Sequence, residues 1–220
     1  MRSAQLLLGL FGFAVAIVFM IQSHLGLGPW DAFHVGISLW TPLSIGVASI
    51  VTGLVIVAGS ALLGVRPGIG TVANMILIGV FIDLLLPRVP VADGWLMGLV
   101  YYLPALAVIG LCTGMYIAAR MGSGPRDGLM LAVAERTGWS VQLVRTIIEL
   151  SALGAGWAMG GKVGIGTIFF AIGVGPSAQW GLRLFGMIPS SARPAPTGEL
   201  PAAADSVPPV PVRGAGRGAL

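Results

Sequence analysis

Charge is what this chain has least of. Asp, Glu, Lys and Arg together make up 9% of its 220 residues, where a soluble domain carries about a quarter. Apolar residues make up 56%, and the mean hydropathy is +0.94, so a water-soluble globule is excluded because there is too little polar surface to cover it. Cysteine occurs once, as Cys112, which rules out an internal disulfide. Histidine occurs twice, as His24 and His34, without the Cys or paired carboxylates a metal centre needs, so no metal and no cofactor are expected. There is no phosphate-binding loop, and no nucleophile lies beside a convincing base. An enzyme is not expected. The 12 basic residues outnumber the 8 acidic ones, but apart from Arg145 they cluster in loops and the C-terminal segment. They read as determinants of membrane topology, with no nucleic-acid partner implied.

What the chain does have is a repeat. Gly26-Leu27-Gly28-Pro29-Trp30-Asp31 returns 96 residues later as Gly122-Ser123-Gly124-Pro125-Arg126-Asp127. Gly68-Ile69-Gly70-Thr71 returns as Gly164-Ile165-Gly166-Thr167, and 14 of the 54 pairs from Gly26/Gly122 to Gly79/Gly175 are identical without a gap. The identities concentrate in Gly, Pro, Asp and Thr, residues that fix backbone geometry, so a copied fold is the reading.

A helix needs about 20 mostly apolar residues to cross a bilayer. Candidate spans are Gln5–Leu25, Ile45–Leu63, Thr71–Leu86, Trp95–Ala118, Val141–Met159 and Thr167–Phe185. Asp31–Trp40 and Asp127–Arg136 are too short to cross and are expected to form interfacial or re-entrant helices, opened by Pro29 and Pro125; Gly138 stops the second. The expectation is an all-α membrane protein of six transmembrane helices, in two inverted three-helix repeats (5–88 and 95–188) within a membrane domain 1–188. The apolar N-terminal stretch reads as a retained span. Residues 189–220 are rich in Pro, Ala and Gly and read as a disordered cytoplasmic tail.

Orientation follows from the arginines. With the N-terminus inside, Arg2, Arg66, Arg120, Arg126, Arg136, Arg183, Arg193, Arg213 and Arg217 fall on the cytoplasmic side, against Arg88 and Lys162 outside. That bias puts both termini in the cytoplasm.

Candidate site residues are the ionisable groups that the spans and turns carry. Arg145 and Glu149 are spaced i,i+4 on one helix face inside a span, where charge is costly and faces a bundle interior or polar cavity. They can form a structural pair or line a substrate-binding or ion-coupling site. Asp31 and Asp127 fall in the first turns of the short helices, where a carboxylate caps backbone N–H groups; two such turns facing each other could also make a ligand site. Arg126 is an anion contact, a gate charge or a topology determinant. Asp83, with Asn74, either lines a site or lies near the outer interface. Gly26, Gly28, Pro29, Gly70, Thr71 and their copies Gly122, Gly124, Pro125, Gly166 and Thr167 are read as structural repeat motifs. Trp30, Trp40, Trp95, Trp139 and Trp180 suggest interfacial belts.

The words Gly-Leu-Gly-Pro-Trp-Asp-Ala-Phe-His-Val-Gly (26–36), Arg-Pro-Gly-Ile-Gly-Thr (66–71), Gly-Ser-Gly-Pro-Arg-Asp-Gly-Leu-Met (122–130), Arg-Thr-Ile-Ile-Glu-Leu (145–150) and Gly-Gly-Lys-Val-Gly-Ile-Gly-Thr (160–167) resemble the YczE/YitT group of bacterial integral membrane proteins, the YczE branch in particular. The resemblance covers about residues 5–188 and implies a multi-spanning plasma-membrane protein without an established catalytic set. The leading expectation is a small transporter or permease-like protein of undefined substrate, embedded in the lipid bilayer, with a homodimer as a candidate assembly. The alternatives are a non-transporting scaffold that stabilises a membrane partner, and a lipid-handling protein.

Overall fold

The computed structural model describes residues 2–65, 67–122 and 124–187. Arg66, Ser123 and the segment read as a tail lie outside the described residues. Eight α-helices follow in order: α1 (Arg2–Ser23), α2 (Pro29–Trp40), α3 (Ile45–Leu62), α4 (Ile69–Leu85), α5 (Gly94–Ala118), α6 (Pro125–Thr137), α7 (Val141–Ala158) and α8 (Ile165–Leu184). From α2 to α4, each start is repeated 96 residues later by α6 to α8.

The same backbone devices set both copies. Pro29 and Pro125 open α2 and α6; the hydroxyls of Ser44 and Ser140 accept from the third N–H of α3 and α7, satisfying an otherwise orphaned donor. Gly26 and Gly122 have φ of 119° and 131°, and Gly64 and Gly160 both have 94°, values that an L side chain rarely adopts. Gly138 ends α6 in the left-handed conformation, its N–H bonded to the Ala134 carbonyl.

Five helices are long and apolar enough to cross a membrane: α1, α3, α4 with its following 3₁₀ turn, α5 and α8. The protein is an all-α, multi-spanning bundle. Of the six spans expected, α7 is not among the five, because Gln142, Arg145 and Glu149 lower its hydropathy although it keeps 18 residues. The short helices α2 and α6 are 12 and 13 residues, or about 18–20 Å at 1.5 Å per residue.

The core is built on α1 and its counterpart α5, which run antiparallel. The Gln5 amide donates to the Met115 carbonyl at 3.0 Å, Phe19 stacks edge-on against Tyr101, and Gly98 meets the Ser23 carbonyl. α4 packs on α1, and α8 packs on α5. The repeats then exchange partners: α2 lies against α7, and α6 against α3. Gly156 of α7 admits the α2 backbone so closely that a Cβ would stand 2.5 Å from the Phe33 nitrogen; Ala152 and Gly156, one turn apart and both buried, form a packing face. Two hydrogen bonds at the 96-residue offset lock the exchange. Gly166 N–H donates to the Leu25 carbonyl (2.8 Å), and Gly70 N–H to that of Met121 (2.7 Å).

Candidate functional site

Both Gly-Pro turns open onto one cavity of about 420 Å³. The first repeat contributes Gly28, Pro29, Trp30, Asp31, Ser49, Gly53 and Asn74; the second contributes Gly124, Pro125, Arg126, Asp127, Arg145, Glu149 and Phe170. Each first-repeat residue stands 96 positions before its second-repeat counterpart, so the cavity lies where the two copies meet. Apolar side chains of α1 and α5, among them Phe13, Ile17 and Ile109, close its remaining wall.

The two Gly-Pro turns open the short helices α2 and α6, which end at Thr41 and at the left-handed Gly138. The turns aim two helix N-termini, with their unsatisfied N–H groups and positive dipole ends, into the same space. Arg126, first turn of α6, crosses to the other repeat and lies over the Trp30 ring, 4.5 Å from its centroid. Contacts of this kind contribute about 0.5–2 kcal/mol, the more so when desolvated. The Trp30 indole N–H is buried without an acceptor among the described residues. Asp31 is buried to 8% exposure. Asp127 sits in the first turn of α6, where a carboxylate complements the positive end of its own helix. Arg145 Nε donates to Glu149 Oε1 at 2.9 Å, an intrahelical pair whose side chains remain 53% and 30% exposed.

Five of the six ionisable residues singled out in the sequence thus line one cavity: Asp31, Arg126, Asp127, Arg145 and Glu149. Asp83 lies elsewhere. Its carboxylate accepts from the Ser44 hydroxyl (2.5 Å) and the Gly46 N–H (2.8 Å), capping the start of α3 beside a shallow surface hollow. Its counterpart Gln179 and its companion Asn74 do line the cavity. Trp30, expected in an interfacial belt, lines the cavity as well, whereas Trp40, Trp95, Trp139 and Trp180 are exposed. Tyr116 was missed. It is buried on α5 and lines the cavity, and no charge or motif set it apart in an apolar span.

The repeat motifs act as joints around the site. Thr167 Oγ1 accepts from the Gly164 N–H (3.2 Å) and donates across the repeats to the Leu27 carbonyl (2.8 Å). Tyr102, fully buried, donates to the Gly166 carbonyl at 2.6 Å. At the loop end of the first turn, His24 Nδ1 lies 2.7 Å from Lys162 Nζ. Burial and the neighbouring ammonium hold His24 below its ordinary value. Among the described residues no cluster of His, Cys, Asp and Glu could hold a metal ion.

Fold and cavity together define a multi-spanning helical membrane protein built from a duplicated unit, with a charged site where the copies meet. Residues 1–183 match a family described as a family of unknown function, DUF6198, and the chain belongs to it. It is 40% identical to the uncharacterized membrane protein YczE of Bacillus subtilis over 166 residues, 74% of this chain and 77% of that one. It is 30% identical to an uncharacterized protein of Haemophilus influenzae over 77% of this chain and 78% of that one. With YyaS, an uncharacterized protein of Bacillus subtilis, it shares 27% identity over 73% of this chain and 82% of that one. These relatives support the YczE/YitT assignment. No solved structure matches the chain.

Proposed function

We propose that the protein is a small transporter of the bacterial plasma membrane, in which two inverted three-span repeats alternately expose a shared central site. The observation that carries this reading is the cavity lined by counterpart residues of both repeats. The antiparallel course of α1 and α5 supports inversion, since a repeat whose first helix is reversed enters the membrane from the other side. α7 is the sixth span, its charges accommodated because Arg145 and Glu149 turn to the cavity. Short helices whose N-termini meet in mid-protein are the means by which transporters of this symmetry hold polar ligands. The arginine bias keeps both termini cytoplasmic.

The test uses full-length protein with Cys112→Ala. Single cysteines at His24 and Arg120, exposed and equivalent at the ends of α1 and α5, are labelled with a membrane-impermeant thiol reagent in intact cells; one site reacting and the other not is the expected result. Ser49→Cys then places a thiol in the cavity, and in oriented proteoliposomes it reacts from both faces if access alternates. Reaction from one face alone overturns transport.

A further inference from the structure

The cavity contains five formal charges, and three of them are accounted for within the fold. Arg145 and Glu149 bond to each other, and Asp127 is exposed in the first turn of α6, where its charge complements the positive end of its own helix. Asp31 and Arg126 are left. They come from different repeats and face the same space. Among the described residues neither makes a hydrogen bond or an ion pair, so no nitrogen of Arg126 lies within 4.0 Å of a carboxylate oxygen. Asp31 is nonetheless more than nine-tenths buried, and Arg126 lies over the Trp30 ring face. An unpaired buried charge is costly, and two opposite charges held apart across a cavity invite a ligand that carries both signs.

The geometry points to a small zwitterion with an ammonium group, a carboxylate and an apolar side chain as the ligand of this cavity. The carboxylate lies on the Arg126 guanidinium and the ammonium on Asp31. This assignment rests on the cavity being the transported substrate's site. A guanidinium with free N–H donors matches a carboxylate in a bidentate fork. The apolar body would lie against Ile17, Ile78, Phe170 and Val174, which are part of the lining. A volume of about 420 Å³ is near the small end of ligand pockets, as suits a free amino acid.

The experiment measures equilibrium binding to the purified full-length protein in detergent by calorimetry. The probes are L-leucine, L-methionine and L-phenylalanine, together with isovalerate and isopentylamine, which carry one charge of leucine each. At least one zwitterion should bind, and the best should bind about tenfold or more tightly than either single-charge compound, one charge-assisted contact being lost in each. Asp31→Asn should weaken zwitterion binding toward that of isovalerate, and Arg126→Gln toward that of isopentylamine. The unmodified protein alone decides the matter if a variant does not fold. Isovalerate or isopentylamine binding as tightly as the zwitterions overturns the assignment, and so does no binding of any of the three amino acids. Zwitterion binding combined with one-sided reaction of the Ser49→Cys thiol leaves the ligand class standing and removes transport. Two-sided reaction without zwitterion binding does the reverse.

Discussion

Gly181→Ala should be among the most damaging single-methyl changes in the protein. In α8, a Cβ at Gly181 would stand 1.9 Å from the Gly110 carbonyl oxygen of α5, and the reciprocal Cβ at Gly114 would stand 2.2 Å from the Gly181 oxygen. An ordinary carbon–oxygen contact is about 3.3 Å, close to the optimum for non-bonded atoms, so the helices would have to part by more than an ångström. Both obstacles are backbone, which cannot swing aside as a side chain can. Separation would also stretch the bond from Ser177 Oγ to the Leu106 carbonyl, now 2.7 Å. Overpacking of this kind costs about 1–3 kcal/mol, occasionally more. The matched control is Gly154→Ala in α7, where nothing lies within 4 Å of the new carbon; removing a helical glycine there should stabilise by about 0.4–1 kcal/mol. Thermal unfolding of the two variants in the same detergent should therefore move in opposite directions, about 1.4–4 kcal/mol apart. Equal melting of Gly181→Ala and the unmodified protein would refute close contact of α5 and α8.

Four further outcomes can be checked. Glu149→Gln should leave unfolding within about 1 kcal/mol of the unmodified protein, as for other half-exposed pairs, while abolishing substrate counterflow in proteoliposomes; a fully active variant removes Glu149 from the site. Asp83→Ala should lower stability by about 1–2 kcal/mol through loss of the α3 cap, with ligand binding by calorimetry unchanged. Tyr102→Phe should cost about 0.5–1.5 kcal/mol, since the buried Gly166 carbonyl loses its donor from α5, read by the same melts. Because the fold holds His24 below its ordinary value, the unfolded chain binds that proton more readily, so the contribution of this contact is present above about pH 6.5 and fades as the pH falls below it. Lys162→Ala should flatten that part of the stability profile, measured by melting across pH 5–8.

The duplication was legible because glycine, proline and capping residues dictate backbone locally. The φ values of Gly26 and Gly122, the caps at Ser44 and Ser140 and the starts at Pro29 and Pro125 follow from a residue and its near neighbours. Helical spacing alone placed Arg145 and Glu149 on one face. The destination of a side chain needs the fold, and the two repeats show why. In the first, Gly46 and Gly79 let α3 and α4 approach until a Cβ at Gly46 would stand 2.0 Å from the Gly79 oxygen. That brings Asp83 onto Ser44 and Gly46, where it caps α3. In the second, the counterpart of Gly46 is Gln142, and Gly175 has nothing within 4 Å of its Cβ position. Gln179 therefore lines the cavity where Asp83 does not.

By itself the sequence determined the apolar bundle, the repeated turns and the points at which helices begin and end, because hydropathy and backbone preference act over a few residues. The tertiary structure alone decided that Asp31 and Arg126, 95 residues apart in the chain, face one cavity. Their meeting depends on α2 crossing to α7 and α6 to α3, and on glycine contacts such as Gly156 against Phe33 that let those helices close. Contacts of that range carry no local signature in the chain, since shape complementarity between distant surfaces sets them.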